Sequence, residues 1–261
     1  MSRKNRLDLL MVAKGVACSR QKAQELIRAG KVRDVNGRIL DKPGQEYVSD
    51  IKLLVKESPR FVSRGGQKLL AALEAFPIEV KGRVCLDAGI STGGFTDCLL
   101  QHGAEHIYGI DVGYGQTAWK LRIDPKLFLK ERTNVRNLAP EDLYEPSDPL
   151  PTLVVADLSF ISLRLVMPSL KALLDPDHSE AILLVKPQFE VGKHLVGKKG
   201  VVRDPLSHVK ALEGVIDAAK TQAWNLKGIK PSPITGPAGN HEYLIWFGST
   251  SGNKLPSLPR I

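Results

Sequence analysis

Cysteine is scarce: the 261 residues include three, Cys18, Cys85 and Cys98, odd in number and without a CxxC pair. That excludes a disulfide framework, predicts no metal site of the zinc-finger kind, and fits a reducing compartment. Aromatic residues make up only 6% of the chain. Long apolar runs are missing as well. The best stretches, Leu153 to Ala156 and Ala181 to Val185, stop far short of the roughly 18 residues that a membrane-spanning helix needs, so no membrane partner is expected. Arg3, Lys4 and Arg6 precede an apolar stretch ending at Cys18, but Asp8 and Lys14 interrupt it and leave no core for a secretory signal. A cytoplasmic protein is expected. The composition, 43% hydrophobic and 25% charged, suits one large α/β domain with a small companion.

Charge is unevenly placed. Of the net +9, residues 1–60 contribute +7, from 14 Lys/Arg against 7 Asp/Glu. Positive charge crowded into under a quarter of the chain points to a polyanion partner for that segment, and the expected polyanion is RNA rather than DNA. Leu7, Leu10 and Met11 predict a first short helix, and Ser19 as N-cap with Ala23, Leu26 and Ile27 predicts a second ending at Gly30. Val32 and Val35 flank a turn at Asn36-Gly37, and Ile51 to Val55 alternates as a strand. Arg6, Arg20, Lys22 and Arg28, placed on the two helices, are the candidate phosphate contacts. This pattern, with Lys42-Pro43-Gly44, resembles the alpha-L RNA-binding module of a small-subunit ribosomal protein and of many pseudouridine synthases. Gly30 and Asn36 stand one residue further apart than usual, which predicts a bulge in the first strand.

Phe61 to Gly66 reads as a linker, leading into a helix that begins near Gln67. Beyond it apolar strands alternate with helices: strands Val84 to Leu86, Ile107 to Ile110, Leu153 to Ala156, Ile182 to Val185 and Tyr243 to Phe247, and helices from Gly94, through Leu165 to Leu174, and from Pro205. The alternation predicts a doubly wound, mainly parallel α/β sheet. The expected division is 1–60 for the basic domain, 61–66 for the linker, 67–248 for the large domain, and 249–261, rich in Ser, Gly, Pro and Asn, for a disordered tail.

Residues 87–95 read Asp-Ala-Gly-Ile-Ser-Thr-Gly-Gly-Phe between an apolar strand and a helix. Such a turn lets a cofactor approach the backbone beside a helix N-terminus. Asp87 at the strand end would repel a pyrophosphate and attract a cationic aminoacyl-sulfonium group, which favours S-adenosylmethionine over a dinucleotide. Asp111, closing the next strand, suits ribose hydroxyls. Four further residues fall at strand or helix ends: Lys68, Asp157, Lys186 and Glu242. In a parallel sheet the first three converge on the carboxyl edge where the cofactor binds, and Glu242 joins them only if the last strand runs antiparallel.

The runs Val62-Ser-Arg-Gly-Gly-Gln-Lys68-Leu, Ser91-Thr-Gly-Gly-Phe-Thr-Asp-Cys-Leu-Leu, Asp111-Val-Gly-Tyr-Gly-Gln, Arg132-Thr-Asn, Asp157-Leu-Ser-Phe-Ile-Ser-Leu, Lys186-Pro-Gln-Phe-Glu, Gly200-Val-Val-Arg-Asp and Ser232-Pro-Ile-Thr-Gly resemble the TlyA family over nearly the whole chain. The resemblance implies a Rossmann-like, FtsJ-like S-adenosylmethionine-dependent methyltransferase fold behind a small N-terminal α+β RNA-binding domain. It implies 2′-O-methylation of ribosomal RNA, free or in ribosomal subunits, with cytidine as target. It also implies Lys68, Asp157, Lys186 and Glu242 as a catalytic tetrad, and Asp87, Gly89, Ser91, Thr92, Gly93, Gly94, Phe95, Asp111 and Asn134 as the cofactor site. Ile90, where relatives commonly carry Ala, departs from the pattern and is expected to crowd the turn slightly. Lys186 is the candidate to accept the hydroxyl proton or orient the hydroxyl. A base methyltransferase would be expected to carry an Asn/Asp-Pro-Pro-Tyr/Phe motif or a catalytic Cys, where this chain has Asp157-Leu-Ser-Phe. A cytolysin would need an inserting segment, and an RNA-binding adaptor would have no use for the cofactor loop.

Overall fold

The computed structural model describes residues 4–56 and 59–249. The chain divides into two compact units at the Pro59–Arg60 junction.

The first unit contains β1 (Lys4–Arg6), α1 (Leu7–Ala13), α2 (Arg20–Arg28), β2 (Val32–Asp34), β3 (Glu46–Val48) and β4 (Leu53–Val55). Ser19 starts α2 as its spacing predicts: its backbone is extended and its hydroxyl accepts the Lys22 N–H at 3.1 Å. Such a cap contributes about 1 kcal/mol. Ala23, Leu26 and Ile27 then bury one face of α2 against Leu7, Met11, Val32 and Leu40. The ladders β1–β3 and β2–β4 are both antiparallel. Strands β1 and β3 went unforeseen because three residues are too few to show alternation. The expected bulge is absent from the β2–β4 ladder, whose register Val32↔Val55, Arg33↔Leu54, Asp34↔Leu53 is continuous. The turn after it is closed by Asp34, whose Oδ1 accepts the N–H groups of Asn36 and Arg38.

Arg6 ends β1 instead of lying on a helix. Its guanidinium is organised by Asp8, a fully buried carboxylate that also accepts from Arg20 Nε (3.0 Å) and Gln24 Nε2 (2.8 Å). The hydrogen bonds from Arg6, with those from Gln24 and Arg20, hold the Asp8 carboxyl far below the usual carboxylate range despite its burial. One acid thus fixes two candidate phosphate ligands, while their side chains stay 42% and 55% exposed. Lys22 pairs with Glu25, and Arg28 closes the last turn of α2.

The second unit runs α3 (Gly65–Ala75), β5 (Val84–Ala88), α4 (Gly94–Gln101), β6 (His106–Ile110), α5 (Trp119–Arg122), β7 (Leu127–Lys130), β8 (Leu153–Ala156), α6 (Leu163–Ala172), β9 (Glu180–Val185), α7 (Pro187–Glu190), α8 (Pro205–Thr221), β10 (Asn225–Pro231) and β11 (Tyr243–Gly248). The seven strands lie in the order β10-β11-β9-β8-β5-β6-β7. Five are parallel, and β11 and β10 are antiparallel additions on the β9 side. From β5 the chain winds outward through β6 and β7, then returns to β8 on the other flank. The carboxyl ends of β5 and β8 are therefore the switch point where α/β sheets bind ligands. Apolar side chains on both faces explain the continuous hydrophobic reading of these strands.

The stretch expected as a linker belongs to this unit. Phe61 is buried with Leu69 and Phe95, the Val62 N–H donates to Asp97 Oδ2 at 2.8 Å, and Gly65 and Gly66 already form the first turn of α3. Gly94 permits the approach: a Cβ there would lie 2.3 Å from Ser63 Oγ and 2.8 Å from the Gly66 nitrogen. Helix α6 starts at Leu163, under a Ser162 cap, and carries Pro168 inside it rather than ending there. Ser249, placed in the expected tail, donates its N–H to the Ser179 carbonyl, and residues 250–261 lie outside the described residues.

Candidate active site

Asp87 sits one residue before the end of β5 and is buried. Its Oδ2 accepts both the N–H (3.0 Å) and the hydroxyl (2.7 Å) of Thr96, clamping the first turn of α4 to the central strand. Between them Gly89 takes φ +83°, and a Cβ there would stand 3.1 Å from the Asp157 carbonyl oxygen, so the glycine lets the loops after β5 and β8 close on each other. Asp111, just beyond β6, accepts the Ser91 N–H on Oδ2 and the Gly113 N–H on Oδ1, both at 2.7 Å. The glycine loop is thus tied to two neighbouring strands. Ile90 does not crowd it: the side chain is buried, with its tip over Gly109 of β6, where no side chain stands in the way.

Two adjoining cavities open along this edge and share Gly89, Ser91, Asp157 and Ser159. One, of about 440 Å³, brings together Gly89, Ser91, Thr92, Gly94 and Phe95 with Lys68, Asp157, Lys186 and Glu242. The other, of about 420 Å³, is walled by Asp111, Asn134 and Val135. Asp87 and Gly93 line neither. Asp87 lies beneath the loop, contrary to the expectation of a carboxylate facing the cofactor, and meets the loop side of α4 through Thr96.

The four residues at the strand and helix ends form one chain of contacts. Lys68 Nζ donates to Glu242 Oε2 at 2.7 Å and reaches Asp157 Oδ2 at 3.4 Å, while Lys186 Nζ pairs with Asp157 Oδ1 at 2.6 Å. The antiparallel pairing puts Tyr243 opposite Val185, so Glu242 and Lys186 are brought to the same edge one step beyond that pair. Lys68, Lys186 and Glu242 are nearly inaccessible, and two ammoniums against two carboxylates leave the cluster without net charge. Paired charges tolerate such burial, whereas a lone one would not. Lys186 also donates to Ser159 Oγ at 2.8 Å. An ammonium has three N–H groups, and these two contacts leave one for a ligand.

Ser159 and Thr96 were not singled out from the sequence, since a hydroxyl carries no pattern of its own. Their signal was adjacency to Asp157 and to the glycine loop, within the runs that carry the family resemblance. Ser63, Arg64, Thr235 and Pro237, not named as site residues from the sequence, line the tetrad cavity from the segment before α3 and the loop between β10 and β11.

The residues present fit S-adenosylmethionine. Asp87 Oδ1 is buried with no donor, a carboxylate oxygen that a cation nearby would stabilise. Asp111 offers acceptors to a diol, and Gly89 leaves the loop without a side chain where a ligand must approach. Burial pushes the Asp87 carboxyl up to about 7, opposed by the two Thr96 hydrogen bonds and reinforced by the charges of Asp157 and Asp111. A pH dependence follows, with opposite signs for stability and binding. The free protein holds a proton on Asp87 that the unfolded chain releases near 3.8, so this contribution to stability is full below that value and is lost as pH rises through about 7. A bound cation favours the ionised carboxylate, so S-adenosylmethionine affinity should rise between about pH 6 and 7.5. Asp87→Asn should flatten both trends. Calorimetric titrations and thermal melts across this range check it, and an unchanged slope in the variant would assign the dependence to another group.

Comparison with known proteins agrees with this geometry. The FtsJ-like methyltransferase family model matches residues 61–249, and the S4 domain model matches residues 5–47. The 16S/23S rRNA (cytidine-2′-O)-methyltransferase TlyA of Mycobacterium tuberculosis H37Rv is 50% identical over 98% of this chain and 94% of its own. A hemolysin-named protein from Streptococcus thermophilus has a structure that matches with a TM-score of 0.70 and 40% identity, covering 96% of this chain and 90% of that one. An S-adenosylmethionine-dependent methyltransferase from Mesorhizobium loti matches with a TM-score of 0.50 at 15% identity, over 68% of this chain and 96% of that one, a likeness of fold alone. Among the described residues no helix is long and apolar enough to cross a membrane.

Proposed function

The chain belongs to the TlyA family, S-adenosylmethionine-dependent 2′-O-methyltransferases of ribosomal RNA, and from that premise we propose that it methylates cytidine ribose with Lys68, Asp157, Lys186 and Glu242 as its catalytic group. The observation that carries the proposal is the continuous contact chain Glu242–Lys68–Asp157–Lys186 in the wall of the cavity that the glycine loop also lines.

S-adenosylmethionine, when bound, supplies an electrophilic methyl on a good leaving group. The protein has to align the ribose hydroxyl with that methyl and take up its proton. As the neutral amine, Lys186 accepts the hydroxyl proton on Nζ while the oxygen takes the methyl, and ends as the ammonium paired with Asp157; as the ammonium it only orients the hydroxyl through its remaining N–H, and the proton passes to solvent water. Asp157 bridges the two lysines and fixes Lys186 from one side, with Ser159 on the other. Glu242 holds Lys68, which completes the support of Asp157. Asp111 and Asn134 serve the nucleoside part of the cofactor, and Asp87 the aminoacyl end through its charge and through α4. Arg6, Arg20, Lys22 and Arg28 bind phosphates of the RNA, in subunits or free transcripts. An rRNA substrate and three free cysteines support action in the cytoplasm.

Mapping methylated 2′-oxygens in rRNA from cells with and without this chain tests the reading. At least one cytidine should lose its mark when the chain is absent. A transcript with 2′-deoxycytidine at that position should then bind through unchanged phosphates and accept no methyl. Incorporation into the deoxy transcript would assign the methyl to the base and remove the role given to the tetrad.

A further inference from the structure

Two buried side-chain oxygens among the described residues lack a hydrogen-bond donor: Asp87 Oδ1 and Gln188 Oε1. The second has no part in the chemistry above. Gln188 follows Lys186 by two residues in the short helix α7, with Pro187 before it and Glu190 after it accepting from Ser162 Oγ (2.6 Å) and the Leu163 N–H (2.7 Å). Gln188 lines a cavity of about 340 Å³ with Phe189, Val196, Pro237 and Ala238. This cavity shares Ser159, Lys186, Pro237 and Glu242 with the one lined by the tetrad.

A ribose whose 2′-hydroxyl lies at Lys186 carries its base on the adjacent carbon, C1′. The base must therefore occupy space bordering that of the hydroxyl, and the shared walls make the Gln188 cavity that space. Apolar walls suit the faces of a base, and an amide suits its edge. Gln offers an acceptor and a donor side by side, which complements the amino group and ring nitrogen on the Watson–Crick edge of cytosine. As the side chain stands this oxygen is inaccessible and without a donor, so a turn of the amide is needed to bring Oε1 to the cavity, where a ligand amino group satisfies it.

We propose that Gln188 reads the base of the nucleotide being methylated, its Oε1 accepting from the exocyclic amino group of cytosine. The inference rests on the ribose-methylation reading and deepens it from reaction to base selectivity. Phosphate contacts from the basic unit place the RNA without reporting sequence, so discrimination has to come from a group at the base edge.

The test pairs two enzymes with two RNAs. The RNAs carry, at the mapped position, either cytidine or the pyrimidin-2-one riboside, which is cytidine without its amino group. The enzymes are the native chain and Gln188→Met, an apolar side chain of similar length. Removing either partner should lower kcat/KM by about 10-fold, and removing both should cost no more than removing one. Equal rates of the native enzyme on the two RNAs, or losses that add in the doubly changed pair, would overturn the proposal. S-adenosylmethionine affinity of Gln188→Met reports its integrity, and if that variant does not fold, the native enzyme on the two RNAs decides alone. Methyl transfer to neither RNA by the native enzyme would bring down the ribose reading and this inference with it, whereas turnover without discrimination overturns this inference alone.

Discussion

Lys186→Ala is expected to keep both ligands and lose methyl transfer by about 100-fold or more, the scale of a positioned acid–base group. Three features set that expectation. The ammonium is fixed by Asp157 at 2.6 Å and Ser159 at 2.8 Å, it stands in the wall of the tetrad cavity, and neither of these partners belongs to the glycine loop. The substitution removes the closer cation of Asp157, leaving Lys68 at 3.4 Å, so a lower melting temperature should accompany the lost activity. Rate, S-adenosylmethionine affinity and melting temperature must be read together. A fall in cofactor affinity equal to the fall in rate would make Lys186 a structural residue. Lys68→Ala should be harsher on stability, because it strips from Glu242, a carboxylate whose side chain is 1% exposed, the one cation that pairs with it among the described residues.

Deleting residues 1–59 should abolish modification of rRNA while S-adenosylmethionine affinity stays near that of the full chain. The cut belongs after Pro59 because the following residues are part of the catalytic unit: Arg60 accepts from Gln101, Phe61 is core, and Val62 is bonded to Asp97. RNA affinity of the full chain should fall with a slope of about −3 in log–log plots against salt if Arg6, Arg20, Lys22 and Arg28 each neutralise one phosphate. Asp8→Asn should weaken RNA binding without touching any of the four, because it releases Arg6 and Arg20 from the acid that orients them. Full activity in the truncated chain would end the division of labour between the units.

Some of this was legible residue by residue. Ser19 announced a helix start, and β8 and the buried 181–185 stretch of β9 announced themselves as unbroken apolar runs. The acid-and-glycine turn at 87–95 carried its own meaning, because the need for a helix N-terminus beside an unobstructed backbone is written in adjacent residues. Strands β7 and β10 were missed. The first is a four-residue edge strand, Leu-Phe-Leu-Lys, and the second mixes Lys, Gly and Pro into its run, so neither shows the burial pattern that marks the central strands.

Other features existed only once the sheet had formed. Lys68 meets Asp157 across 89 positions of sequence and Glu242 across 174. Nothing within one helix turn or one strand specifies such a meeting; it follows from the strand order and from β11 running antiparallel to β9. The fate of individual carboxylates was likewise undecided by composition. Asp8 became the buried anchor of two arginines, Asp87 a buried clamp with a raised pKa, and Asp157 a half-exposed bridge between lysines. The sequence by itself determined which residue types stood at which element ends, since local periodicity and turn chemistry act over a few residues. The tertiary structure decided which of them touch and which lose their water, because desolvation and ion pairing depend on neighbours brought from distant segments.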